Sequence, residues 1–403
     1  MKYLVVLSDG MAGRPLYELG GKTTLEAADT PVMDSLSKYA EVGMAAMVPE
    51  GMAPGSDTAN LAVMGYDPKI YYTGRSPLEA LSIGVDMADT DVSFRCNIVT
   101  VSEEDCAYED RTMIDHSSDE ISTEDAAVLV EALKEGLKRE GYEFYVGTSY
   151  RHLLVWKDGR TVELTPPHDI LTKRIGDYLP EDQVLREMMK ASYDILKNHP
   201  LNVERREKGL HPANSAWFWG AGTRPSLTSF EERTGKKGVM ISAVDLLKGI
   251  AVGADMDRII VEGANGGLHT NYEGKADAAV KALTQDGYNF AYIHVEAPDE
   301  MGHQGSIKDK IAAIEYVDEK VLGRVVKGLE KAGEDFRVLV LPDHPTPIEV
   351  RTHTGEPVPY LLYDSTCQQE GPSAYNEKTA KDTGNNWPDG YQLIGHLLQE
   401  DIC

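Results

Sequence analysis

Three acids and three histidines stand where they could hold divalent cations. Asp299 and His303 lie four residues apart, just after the apolar run Phe290-Ala-Tyr-Ile-His-Val295. Asp343 and His344 follow a second run, Phe336-Arg-Val-Leu-Val-Leu341, and His353 lies in the loop beyond. Asp9 closes a third, Tyr3-Leu-Val-Val-Leu7 with Ser8 between. Oxygen and imidazole donors without thiolate suit Mn²⁺ or Zn²⁺. Two such ions about 4 Å apart can clamp the attacking and leaving oxygens of a phosphoryl transfer. A hydroxyl that could carry the phosphoryl group is Ser56, between the chain-breaking Pro54-Gly55 and a stretch, Thr58 to Met64, that reads as helix. A serine there faces unpaired backbone N–H groups and the positive end of the helix dipole, a setting for an oxyanion. Read alone, it is more simply a helix N-cap.

The elements that must position these groups are short Val/Leu-rich runs, consistent with strands buried on both faces of a parallel sheet. Ligands of open α/β sheets bind outside the carboxyl ends of the strands, so all the acids and histidines are expected at one edge. After Pro225 strands and helices alternate. Strands are expected at 238–242, 257–261, 290–295, 336–341 and 360–363, with helices at 244–249, 274–285 and 307–332. Such a rhythm implies a parallel sheet covered by helices on both faces. Thr30-Pro31 opens a helix in the first segment, with Thr30 as its cap. Between 87 and 225 the texture is α+β, and 89–101 alternates like a half-exposed strand. One α/β domain is therefore expected from 1–86 and 226–403, for metal binding and phosphoryl transfer, with an inserted substrate-binding domain at 87–225.

Bulk properties narrow the partners. A chain of 403 residues exceeds one compact core. A formal net charge of -26 argues against a broad phosphate-backbone interface, so nucleic acid is not expected. No stretch approaches the roughly 18 apolar residues of a membrane span, and the short apolar N-terminus does not read as a signal segment. Four scattered cysteines, Cys96, Cys106, Cys367 and Cys403, suit free thiols in a reducing, cytoplasmic setting.

Together, Asp9-Gly10, Gly55-Ser-Asp-Thr-Ala-Asn60, Asp299…His303, Asp343-His344 and His353 resemble the alkaline phosphatase superfamily. More narrowly, the chain resembles the archaeal-type cofactor-independent phosphoglycerate mutases. That resemblance extends over nearly its whole length, through the stretches around Arg75, Arg151, His168-Asp169, Asn214 to Trp219, and Lys248. It implies an alkaline-phosphatase-like α/β/α sandwich with a mainly parallel sheet, interrupted by the inserted domain. It implies two divalent metal ions, Mn²⁺ or Zn²⁺ with Mg²⁺ or Co²⁺ as alternatives, and no bisphosphoglycerate. Asp9, Ser56, Asp343 and His344 would hold one ion, and Asp299, His303 and His353 the other. Ser56 would be the nucleophile, with Lys248 and Arg75 on the phosphate and Asp169 moving a proton. Arg151 and His168 would grip glycerate, with Arg205, Arg206 and Arg224 as further carboxylate contacts. Trp217 and Trp219 read as packing. The partner is a small anionic phosphorylated substrate, and a homo-oligomer is compatible with the chain. The resemblance departs from the family pattern at Asp115-His-Ser-Ser-Asp-Glu-Ile121 and at Glu262 to Tyr272. These departures bear on the phosphoryl acceptor, so a homoserine-kinase-like phosphotransferase and a phosphomonoesterase are the competing expectations. A metal-binding scaffold without catalysis would have Ser56 remote from Asp9 and Asp343.

Overall fold

The computed structural model describes residues 1–399. The chain divides into two compact units, one made of Met1–Tyr72 with the residues from Ser226 onward, the other of Thr73–Pro225.

The first unit is built on an eight-stranded sheet. Its strand order is Asn386–Trp387, Glu41–Ala45, Val358–Asp364, Phe336–Leu341, Lys2–Ser8, Phe290–Val295, Gly238–Ile241 and Asp257–Ile259. Lys2–Ser8 pairs in parallel with both neighbours, Leu7 opposite Leu341 and Ser8 opposite Val295. Three adjacent strands therefore end level with one another, and the residues after them share one edge. The apolar runs are buried as expected: every residue of Phe290–Val295 and of Phe336–Leu341 is buried. One face packs Leu4, Val6, Ile293 and Val338 against Ala276, Ala279, Val321 and Val325 of flanking helices. Each fully buried Val or Leu contributes roughly 1.5–3 kcal/mol over leaving it in water.

Val358–Asp364 and Glu41–Ala45 form an antiparallel extension of the sheet, and Glu41–Ala45 had no periodic signal. The helix expected over 307–332 is three consecutive segments, with a π-helical turn at Val317–Leu322. That turn carries buried Asp318, which accepts from Val32 N–H at 3.0 Å and Met33 N–H at 2.7 Å. Asp318 thus caps the helix Pro31–Ser37, a task Thr30 does not perform with its side chain. Cys96 and Cys106 are free thiols, but Cys367 is disulfide-bonded, so four free thiols is not the state of the chain. Cys403 lies outside the described residues.

The second unit is an antiparallel sheet with the long strand Val92–Val101 at its centre. It pairs with Met113–Asp115, Arg151–Trp156 and Ser215–Thr223, and Tyr142–Thr148 pairs with Arg151–Trp156. The helices Thr123–Gly136 and Gln183–Leu196 close one face over a core that includes Phe94, Ile98, Leu133, Met189 and Trp217. All ten residues of Val92–Val101 are buried, which corrects the half-exposed reading. Its polar positions are covered by the helix Arg75–Ser82, where Ser76 Oγ lies 2.8 Å from Ser93 Oγ and Glu79 lies 3.0 Å from Arg95 Nε. The same contacts place Arg75–Ser82 in the second unit, so its boundary falls at Tyr72/Thr73 rather than at 86/87.

Candidate active site

The chain enters the helix Ser56–Val63 through Gly55, which is the N-cap residue and lends no side chain. Ser56 is the first helical residue. Its hydroxyl makes no capping bond to a backbone N–H, and Oγ lies 3.1 Å from His344 Nε2. The capping expectation for Ser56 therefore fails, because the break at Pro54-Gly55 carries the chain one residue further than the cap position requires.

Asp9, Asp343 and His344 bring donor atoms within 4.8 Å of one another beside that hydroxyl. His344 Nε2 is 3.4 Å from Asp343 Oδ2 and 3.6 Å from Asp9 Oδ1. Asp299, His344 and His353 form a second such group. Here His303 Nε2 lies 3.1 Å from Asp299 Oδ2 and 3.0 Å from His353 Nε2. The two groups meet at His344, so all six acids and imidazoles form one continuous cluster.

The electrostatics of this cluster call for cations. Asp9, Asp299 and Asp343 are buried, and their ion pairs among the described residues are with histidines alone. Burial, with the charges of Asp343 and Asp299 beside it, pushes the Asp9 carboxyl well above the usual range. Its Oδ1 is buried without a hydrogen-bond partner. Burial works against Asp299 too, but hydrogen bonds from His303 and His353 outweigh it and hold this carboxyl well below its ordinary value. In return, the Asp299 hydrogen bond raises His303 to about 9. Converging acceptors with an orphaned carboxylate oxygen and oxygen/imidazole chemistry fit hard-to-borderline divalent ions.

A layer of residues that pattern reading passed over supports these ligands. Asn60 donates to Asp343 Oδ2 and to the Ser56 carbonyl, both at 2.8 Å. His294 reaches Asp9 at 2.8 Å, and Thr346 donates to Asp299. Gly10 N–H donates to Asp343 Oδ1 at 3.2 Å. Buried Lys310 donates to the carbonyls of Ala12 and Thr346, and burial lowers it to about 8. The sequence signal for His294 was a lone polar residue inside an apolar strand, a pattern that more often means nothing. Lys248, also in this unit, lies on the helix Asp245–Gly253, packed against the Ser56 helix, with Nζ 3.1 Å from Asp245.

The second unit gathers its own cations. Arg95, missed in the sequence because it sits inside a strand, places its guanidinium 4.3 Å over the Trp219 ring and 3.0 Å from Glu79. Burial lowers Arg95 to about 10, and Arg75 and Arg151 are among the charges that act on it. His168 packs edge-on to Trp219 at 5.3 Å and to His116 at 6.0 Å, and partial desolvation lowers its pKa. Asp169 is exposed, 3.8 Å from His168. Three other arginines have partners within the protein. Arg205 is buried, its guanidinium donating to the carbonyls of His211 and Ser118, so it is a structural clamp. Arg206 pairs with Glu103, and Arg224 donates to the Met87 carbonyl at 2.9 Å. Trp219 is more than packing, since it carries Arg95. Asp115, in the stretch that departs from the family pattern, accepts from Ser117 and Asp119 N–H groups and closes a local turn.

The fold and site define an α/β protein with a buried acid–imidazole cluster and a serine hydroxyl at the carboxyl edge of a mainly parallel sheet. A family model described as 2,3-bisphosphoglycerate-independent phosphoglycerate mutase matches residues 37–202. The chain is 47% identical over 99% of its length to the whole of a protein of that name from Methanosarcina barkeri. It is 46% identical, again over 99% of its length, to the whole of a probable one from Geobacter sulfurreducens. Among solved structures it is similar to the PH0037 protein from Pyrococcus horikoshii, at a TM-score of 0.80 and 29% identity, covering 100% of this chain and 99% of that one. It is also similar to a cofactor-independent phosphoglycerate mutase from Thermoplasma acidophilum, at 0.65 and 26%, covering 99% of both chains. The chain belongs to the family of 2,3-bisphosphoglycerate-independent phosphoglycerate mutases.

Proposed function

We propose that this chain interconverts 3-phosphoglycerate and 2-phosphoglycerate through a phosphoserine at Ser56, without bisphosphoglycerate. The observation that carries this reading is the Ser56 hydroxyl, unspent on capping, at a helix mouth and 3.1 Å from His344 in the acid–imidazole cluster. Asp9, Asp343, His344 and Ser56 would hold one divalent ion, and Asp299, His303 and His353 the other. Bound there, the ions offset the buried carboxylates, lower the hydroxyl pKa of Ser56 and polarise the phosphoryl group. Ser56 Oγ gives up its proton and attacks phosphorus, the bond to the 3-oxygen of glycerate breaks, and that oxygen takes up a proton to become a hydroxyl. The helix N-terminus offers its N–H groups to the phosphate that Ser56 then carries. In the return step the 2-hydroxyl of glycerate attacks, loses its proton and restores the free serine. Lys248 and Arg75 are assigned the phosphate, and Arg151 and His168 the glycerate. Asp169 is assigned the hydroxyl proton, and its exposed carboxylate is consistent with that task. Among the described residues no helix is long and apolar enough to cross a membrane.

The test is direct. With Mn²⁺ and no bisphosphoglycerate, the protein converts 3-phosphoglycerate to 2-phosphoglycerate, and Ser56→Ala lowers kcat by about 10⁴-fold or more while the protein stays folded. ATP-dependent phosphorylation of homoserine without mutase turnover would overturn the reading. So would release of free phosphate as the main product.

A further inference from the structure

Tyr292 and His294 lie two residues apart on the strand Phe290–Val295, so both side chains leave the same face of the sheet. Both are fully buried. The His294 ring bridges two groups, with Nδ1 3.1 Å from Ser242 Oγ and Nε2 2.8 Å from Asp9 Oδ2. Ser242 Oγ already accepts from Val244 N–H at 3.0 Å, which leaves its own hydrogen for Nδ1. Nε2 then carries the hydrogen donated to Asp9. Tyr292 donates its hydroxyl to Asn60 Oδ1 at 2.6 Å, and the Asn60 amide in turn donates to Asp343 and to the Ser56 carbonyl. Lys275 pins the same strand by donating to the His294 carbonyl at 2.9 Å. One strand thus fixes two carboxylates, Asp9 and Asp343. The Asp299 carboxylate is held separately, by Thr346.

We infer that His294, together with Tyr292 acting through Asn60, is a positioning residue for the cation position beside Ser56 and selectively sets the affinity of that position. The inference rests on the proposed metal reading. Holding Asp9 by Oδ2 leaves Oδ1, which has no hydrogen-bond partner, as the oxygen free to bind a cation. An acceptor already locked in one rotamer loses less entropy when an ion arrives, and such outer partners are typically worth 10–100-fold in metal affinity. The two cation positions are therefore expected to respond differently to the same strand.

Calorimetric titration of the metal-free full chain with Mn²⁺ tests this. Wild type is expected to bind two equivalents. His294→Phe is expected to weaken one equivalent by about 10–100-fold and leave the other unchanged. Tyr292→Phe, which removes one oxygen, weakens that same equivalent by less. His294→Gln, which keeps an N–H donor near Nε2, stays within about threefold of wild type. In a His303→Ala background the surviving equivalent is the one beside Ser56, and His294→Phe weakens it there too. The Mn²⁺ concentration giving half-maximal activity rises in step, while KM for 3-phosphoglycerate does not. A folded His294→Phe that binds both equivalents as wild type does, or loses both equally, would overturn the inference. If His294→Phe does not fold, Tyr292→Phe decides by the same criterion. Fewer than two equivalents in wild type would instead overturn the metal reading, and this inference with it.

Discussion

Gly10 joins Asp9 to the rest of the site, and replacing it by alanine separates two effects that can be weighed in advance. Its φ is +61°, and a Cβ there would meet Asp299 Oδ1 at 2.5 Å, Thr346 Oγ1 at 2.6 Å and Asp299 Cα at 2.8 Å. The left-handed backbone alone costs a side chain roughly 1–2 kcal/mol. The overlap adds about 1–3 kcal/mol, because a backbone atom cannot rotate away as a side-chain tip can. Gly10→Ala should therefore destabilise by roughly 2–5 kcal/mol. Gly20 is the internal control: its φ is +65°, and nothing lies within 4 Å of the Cβ position. Gly20→Ala should cost only the backbone share, roughly 1–2 kcal/mol. Chemical denaturation of both variants in EDTA measures the difference. Titration with Mn²⁺ should also show Gly10→Ala weakened by about tenfold or more, since Asp299 must move. Equal destabilisation by the two substitutions, with unchanged Mn²⁺ affinity, would refute the claim that Gly10 is required by close approach to Asp299.

The remaining expectations concern the second unit. Arg151→Met should raise KM for 3-phosphoglycerate by about 10–150-fold, as expected for loss of a charged hydrogen bond worth about 1.5–3 kcal/mol. Steady-state kinetics at saturating Mn²⁺ checks it, and a KM within about twofold of wild type would remove Arg151 from the glycerate site. His152 is buried, accepts from Gly147 N–H at 3.1 Å and is lowered by burial to about 4. The unfolded chain therefore takes up this proton as pH falls below about 6.5, and the folded chain only near 4, so stability is full above the first value and lost toward the second. The loss should amount to roughly 3 kcal/mol, and His152→Asn, which keeps an acceptor, should flatten that part of the stability–pH profile. An unchanged slope between pH 6.5 and 4 would show that other groups set it.

Parts of the fold were legible because burial on both faces leaves a direct mark in composition. The runs at 290–295 and 336–341 coincide with the strands. Polar groups buried by a neighbour leave no such mark. Ser93 and Arg95 alternate with apolar residues as they would at a surface, yet Ser76 and Glu79 cover them. Asp318 looks like a solvated helix charge until the N-terminus of Pro31–Ser37 is seen to lack a side-chain cap of its own. Arg205 kept its sequence signal as a cation, but its guanidinium is engaged by the carbonyl of nearby His211 and that of distant Ser118.

By itself, the sequence determined the types of chemical group and their places after successive strands: Asp9, Asp299 with His303, and Asp343 with His344. Those places follow from local rules, since a strand end and the residues beyond it are neighbours in the chain. Only the tertiary structure decided that the three strands are adjacent and end level, which turns separate acids into one buried cluster. It also decided how each carboxylate is held and that Asp9 Oδ1 is the oxygen left without a partner, because His294, Asn60 and Thr346 act across many residues of separation. Hydrogen-bond partners so far apart have no periodicity to read. Ser56 shows the division most clearly: its type and helix-mouth position were in the sequence, while its release from capping and its 3.1 Å approach to His344 came from the packing of the helix against the strand ends.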